Sequence, residues 1–237
     1  MHTPSFRVRF DPPLTALPVI ANTTVILLHG LARSSAPMEK LARAARAEGY
    51  TVVNLDYPST TATIESLCES HLAPAVDRAL AGGAGCIHFV AHSMGGILVR
   101  QYLATHALAQ LGRVVMVGPP NQGSELVDRL GAYAPFAWIN GPAGHQLGTR
   151  PDSLPNRLGP VSYPVGVIAG TRSYNPIYSA MIEGPDDGKV GVARAKLEGM
   201  SDFLVLDVNH TFMMRSDKVI RQSLAFLREG RFDHAEP

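Results

Sequence analysis

Ser93 lies in the segment Phe89-Val90-Ala91-His92-Ser93-Met94-Gly95-Gly96, where a mostly apolar run from Ile87 to Ala91 meets an apolar helical pattern from Gly96 to Leu103. A serine between a strand and a helix is the arrangement that mounts a nucleophilic hydroxyl on a sharp turn. Such a turn strains the serine backbone toward positive φ, so the residues two before and two after it must be small. Ala91 and Gly95 meet that demand, with alanine standing where a glycine is usual. Serine between small residues also occurs in ordinary turns, so the context has to decide.

A serine hydroxyl attacks a carbonyl only when a base takes its proton and a carboxylate orients that base. With the serine after one strand of a doubly wound sheet, the acid and then the histidine are expected in loops after later strands. Of nine histidines, His145, His210 and His234 lie well beyond the serine helix. His145 belongs to an irregular region and His234 to the polar C-terminal tail, whereas His210 closely follows the strand pattern Phe203 to Val208 and is the candidate base. The competing reading is a packing or capping histidine at a strand end. For the acid, the loop Asp186-Asp187-Gly188-Lys189-Val190 points to Asp187, because Gly188 lets the chain turn beside the carboxylate and Val190 can anchor its far side. Asp186 is the adjacent alternative and Asp207 the more distant one; all three also read as ordinary turn aspartates.

The negative oxygen formed by such an attack needs two preset donors. The Met94 N–H, directly after the serine, is one candidate. The Leu31 N–H is the other, since His29-Gly30-Leu31 follows an earlier strand and Gly30 permits the backbone to turn its amides inward. His29 is expected to fix its loop by side-chain hydrogen bonds, and His92 to point away from Ser93.

These residues require a scaffold, and the hydrophobic pattern supplies one. Thr24 to Leu28, Thr51 to Leu55, Ile87 to Ala91, Arg113 to Val117, Tyr163 to Ala169 and Phe203 to Val208 read as strands. Between them run helical stripes, among them Met38, Leu41, Ala42 and Ala45, then Ile64, Leu67, Cys68, Leu72 and Val76 with Pro74 as a kink or break, and a closing helix with Val219, Ile220, Leu224 and Leu227. Continuous apolar strands alternating with amphipathic helices predict an α/β fold with a mostly parallel sheet of about six strands, covered by helices on both faces. Phe6, Val8 and Phe10 suggest a further short peripheral strand. Residues from about Asn121 to Pro160, rich in Gly and Pro and carrying Tyr133, Pro135, Phe136, Trp138 and Ile139, read as a long irregular insertion, a lid or a packed surface loop. Gly30, Tyr133, Phe136 and Trp138 are the candidate substrate contacts.

The chain has 237 residues with 46% hydrophobic content, enough for one large domain over 1–237 with the insertion inside it. Its 21 basic and 20 acidic residues nearly cancel and form no long run, which argues against nucleic acid or an anionic membrane as partner and for a small neutral or apolar one. Two cysteines, Cys68 and Cys86, are expected as buried free thiols. No secretory signal pattern and no apolar stretch of spanning length is seen, so the expectation is a soluble chain, cytoplasmic by default unless a leader has been removed, with no stable membrane insertion. The oligomeric state is left open.

Together, His29-Gly30 after a strand, the Ala91-His92-Ser93-Met94-Gly95 elbow, the Asp187-Gly188-Lys189-Val190 loop and the isolated His210 resemble the bacterial lipase and esterase branch of the α/β-hydrolase superfamily, from Thr24 to about Leu227. In similar lipases the Asp of a D-G-x-V loop is the triad acid, and the histidine follows some tens of residues later, as here. Alanine at position 91 is also found in some of them. Pro120-Asn121-Gln122-Gly123-Ser124 looks like the passage where such chains leave the sheet for a cap, and reads equally as a polar turn starting a helix at Ser124. The carboxylates of the calcium site in some related lipases have no counterpart here, so neither metal nor cofactor is expected. The resemblance implies a serine-dependent carboxylic-ester hydrolase acting on lipidic or other apolar acyl esters. Acyltransferase, thioesterase and amidase are alternatives with the same triad, and a non-catalytic ligand-binding module is the alternative outside enzymes.

Overall fold

The computed structural model describes residues 22–235, so the strand expected at Phe6 to Phe10 lies outside the described residues. The described residues open with β1 (Thr23–Leu28), α1 (Glu39–Ala47), β2 (Thr51–Leu55), α2 (Ile64–Leu67) and α3 (Ala73–Ala81). β3 (Cys86–His92), α4 (Met94–Thr105) and β4 (Leu111–Val117) follow, and then three helices, α5 (Glu125–Leu130), α6 (Ala134–His145) and α7 (Leu154–Arg157). β5 (Val165–Gly170), the short helices α8 (Pro176–Ser179) and α9 (Val192–Ala195), β6 (Asp202–Leu206) and α10 (Asp217–Glu229) complete it.

The six strands of the described residues pair in parallel, in the order β2-β1-β3-β4-β5-β6. Every residue of β1 is buried, as expected of a strand covered on both sides. Alternate residues separate two cores. Ile26, Leu28, Phe89, Ala91, Met116 and Val167 face α2, α3, α4 and part of the β4–β5 connection, while Val25, Leu27, Val90, Val115 and Ile168 face α1 and α10. Parallel strands all end at one edge, so the loops after β1, β3, β5 and β6 gather there, with β3 between β1 and β4.

Two helical regions depart from the sequence pattern. The stripe from Ile64 to Val76 becomes α2 and α3 joined by a π-helical turn, Cys68–Leu72, and Pro74 follows directly on that turn, where the widened hydrogen-bond pattern accommodates a residue without an N–H. The larger correction concerns 121–160, expected as irregular and found helical in α5, α6 and α7. Pro135 stands in the first turn of α6, and Gly141 (φ 59°, ψ −166°) breaks the helix before Pro142 restarts it. A side chain at position 141 would collide with the Thr60 carbonyl. The residues that hid this helix from its periodicity are thus the ones that start and kink it.

Helix α4 is buried from Met94 through Tyr102, including Arg100. The Arg100 guanidinium donates to the carbonyls of Asn121 (2.9 Å), Pro155 (3.0 Å) and Gly159 (2.8 Å). Burial lowers its pKa to about 10. Among the described residues no helix is long and apolar enough to cross a membrane.

Candidate active site

Ser93 occupies the turn between β3 and α4 with φ 55° and ψ −125°, a conformation costly for any residue with a Cβ. Its own N–H bonds to the Val117 carbonyl at 2.9 Å, which ties the turn to the neighbouring strand. The loop after β1 crowds this turn. A Cβ on Gly95 would lie 2.8 Å from the His29 carbonyl oxygen and 3.0 Å from that of Leu28, and one on Gly30 would lie 3.0 Å from the Ser93 Cβ. Glycine at both positions lets two backbones meet.

The Ser93 hydroxyl faces His210, with Oγ 3.0 Å from Nε2. On the other side of the ring, Nδ1 lies 2.7 Å from Asp187 Oδ2, so Nδ1–H donates to the carboxylate and Nε2 is free to accept from the serine. Asp187 Oδ1 accepts from the backbone N–H groups of Lys189 (2.9 Å) and Val190 (2.8 Å), and the His210 N–H donates to the Asp187 carbonyl at 2.9 Å. Both carboxylate oxygens are used, and Asp187 and His210 are buried, so the ring is held from two directions. The other two aspartates go elsewhere: Asp186 accepts from Ser179 Oγ (2.9 Å) and the Gly188 N–H (2.7 Å) within its own loop, and Asp207 pairs with Arg172 at the surface.

Two backbone donors stand beside this chain of hydrogen bonds. The N–H groups of Leu31 and of Met94, the first residue of α4, have no acceptor among the described residues. Met94 is fully buried, which makes an unmet donor there costly unless something else receives it.

The neighbouring histidines fix the frame. His29 Nε2 accepts from the Tyr57 N–H (3.3 Å), so Nδ1 carries the proton and donates to the Gly30 carbonyl (2.9 Å), while the ring stacks on Tyr57 at 4.1 Å. Burial lowers its pKa and favours this neutral form. His92 departs from expectation. It does not turn away from the site but packs under His210, ring centroids 4.9 Å apart, with Nε2–H donating to the His210 carbonyl at 3.0 Å. Its pKa is held well below the ordinary value by burial first and by the neighbouring His210 second. No pattern in the sequence announces that contact, because the direction of a residue beside a tight turn depends on what the distant 210 loop brings to it.

A cavity of about 350 Å³ opens beside Ser93 and His210. Its wall is mostly apolar, formed by Leu31, Leu126, Leu130, Phe136, Ile139 and Val190 among others, and Tyr133 joins it from the start of α6. Gly30, expected as a substrate contact, does not line it and instead packs against the elbow at His92 and Ser93. Trp138 does not reach it and stands 90% exposed. Ser124 lines the cavity and precedes α5; its hydroxyl donates to the Lys189 carbonyl at 2.8 Å and makes no cap bond to the helix. Arg33 and Lys189 also line the cavity.

Outside the residues that line the cavity, Cys68, Glu69 and His106 place three possible metal donors within 4.8 Å of one another. Burial, with Glu69 and Glu65 nearby, raises the Cys68 thiol pKa to about 12, which opposes the thiolate a metal would need. Cys68 and Cys86 are both free, Cys68 buried and Cys86 half-buried.

A profile described as the "Alpha/beta hydrolase family" matches residues 25–229. Comparison with curated proteins finds no match. Similar solved structures include a lipase from Bacillus licheniformis, BlEst2 in mature form, at 20% identity over 93% of this chain and 96% of that one, TM-score 0.71. Phospholipase PlaB from Legionella pneumophila shares 17% identity over 88% of this chain and 57% of its own, TM-score 0.65. A monoacylglycerol lipase from Paleococcus ferrophilus shares 17% over 87% and 94%, TM-score 0.57. At such identities the likeness is one of fold.

Proposed function

The chain belongs to the alpha/beta hydrolase family, and on that premise we propose that it is a serine-dependent carboxylic-ester hydrolase acting on apolar acyl esters. The observation that carries the reading is the buried run of hydrogen bonds from Ser93 through His210 to Asp187 at the wall of an apolar cavity. In this reading Ser93 Oγ attacks the ester carbonyl as its proton passes to His210 Nε2, and Asp187 orients the ring and stabilises its charged form. The N–H groups of Leu31 and Met94 receive the oxyanion. Collapse of the tetrahedral intermediate breaks the bond to the alcohol, which leaves with the proton from His210. A water then attacks the acyl-serine by the same route in reverse roles, releasing the acid. None of these steps calls on a cofactor.

The apolar wall would take the acyl chain, with Tyr133 and Phe136 among its contacts, and α5 to α7 would serve as its cover within one domain. The names of the structural neighbours, two lipases and a phospholipase, weigh in the same direction. The test is hydrolysis of p-nitrophenyl octanoate together with labelling by a fluorophosphonate. Both should be present in the parent and absent from Ser93→Ala, with turnover reduced by at least about 10³-fold and the thermal midpoint retained. A folded parent that does neither would overturn the reading.

A further inference from the structure

Two cations flank the Ser93 cavity, and neither has a role in the chemistry above. Arg33 stands two residues beyond Leu31 in the loop after β1, and Lys189 two residues beyond Asp187 in the loop after β5. Both contribute to the cavity wall, no aspartate or glutamate among the described residues does, and Asp187 sits behind His210 with both oxygens engaged. Neither makes an ion pair among the described residues; the Arg33 guanidinium has only a long contact to Thr211 Oγ1, at 3.4 Å. Lys189 is held below its ordinary pKa, first by loss of solvent and then by Arg33, with Asp187 offsetting part of this. Two like charges therefore lie within electrostatic reach of each other at the opening of an apolar cavity. Near-neutral surfaces ordinarily intersperse opposite charges.

We propose that Arg33 and Lys189 form an anion subsite at the mouth of the cavity, and that the ester accepted there carries an anionic oxygen group, a phosphate or a carboxylate, on its alcohol side. This rests on the acyl-serine reading for its chemistry. The acyl chain enters the apolar wall and the alcohol faces the mouth, so the anion falls between a guanidinium that grips two oxygens at once and a mobile ammonium. On cleavage the alcohol takes its proton from His210 and carries its charge out past the two cations.

Binding tests the subsite without turnover. In a Ser93→Ala background, calorimetry with octyl phosphate, monooctyl succinate and octanol compares an identical chain with and without charge. At least one anionic probe is expected to bind about tenfold more tightly than octanol at low salt, with the advantage shrinking as ionic strength rises. Adding Arg33→Gln and Lys189→Gln should remove that advantage; if the combined variant does not fold, the exposed Arg33→Gln alone should reduce it. An advantage for octyl phosphate alone assigns phosphate, and for monooctyl succinate alone carboxylate. Equal binding of octanol, an advantage untouched by the substitutions, or no binding of any probe overturns the proposal. Loss of Ser93 labelling in the parent would overturn the acyl-serine reading instead, so the two failures are distinct.

Discussion

At Ser93 the backbone is strained so that one hydroxyl can face one imidazole, and the strain is maintained by neighbours that leave no room to relax. Gly95 is the most exacting of them. Gly95→Ala would press a methyl group against two backbone carbonyls, those of His29 and Leu28, which cannot step aside as a flexible side chain would. The expected result is a loss of about 1–3 kcal/mol in thermal or denaturant unfolding and at least about a tenfold loss of ester turnover. The aspartates give a sharper contrast. In the proposed mechanism Asp187→Asn should lower kcat by about 10⁴-fold by favouring the wrong tautomer of His210. Asp207→Asn, which breaks a surface pair with Arg172, should change kcat by less than about threefold. The reverse order in steady-state kinetics would move the acid to Asp207. Ser93, Asp187 and His210 were selectable from sequence because each follows a strand pattern in the order the topology requires. The facing of His92 was not, since it is fixed by a loop more than a hundred residues away.

Among the elements, the strands were far easier to read than the cover over the cavity. A parallel strand buried on both sides must be continuously apolar, and Val25-Ile26-Leu27-Leu28 announces itself. Helix α6 lacks such a mark: it carries Pro135, Gly141 and Pro142, its aromatics do not follow one helical stripe, and tertiary support replaces propensity. Composition grouped Tyr133, Phe136 and Trp138 as one cluster, whereas the structure divides them. Phe136 lines the cavity and Trp138 faces solvent. Phe136→Ala should therefore raise KM for an octanoyl ester several-fold, while Trp138→Ala should leave the unfolding free energy within about 0.5 kcal/mol of the parent. Equal effects of the two on KM would mean that α6 adopts another orientation over substrate.

At the scale of the whole molecule, buried neutral histidines give the fold a sensitivity to acid. His88 is the clearest case: it accepts the Arg113 N–H at 2.7 Å, and burial with the nearby Arg113 charge lowers its pKa from 6.5 to about 4. The unfolded chain binds that proton more readily, so stability present above pH 6.5 is lost as pH falls toward 4, by about 3 kcal/mol for this residue. His29 and His92, also lowered, act in the same direction. Thermal midpoints should fall steadily between pH 6.5 and pH 4, and a flat profile would show that the folded chain binds these protons as readily as the unfolded one. The parallel sheet was legible in the sequence because it is a repeated pattern, whereas the charges at the mouth of the cavity were not, because nothing around Arg33 or Lys189 in the sequence says that their two loops meet. Arg100 has a different kind of consequence. One guanidinium grips the chain at Asn121, where it departs the sheet, and again at Pro155 and Gly159, where it prepares to return. The stretch between is therefore drawn into a loop closed at its base by a single side chain, a clasp supplied from outside the loop by a helix buried against the sheet.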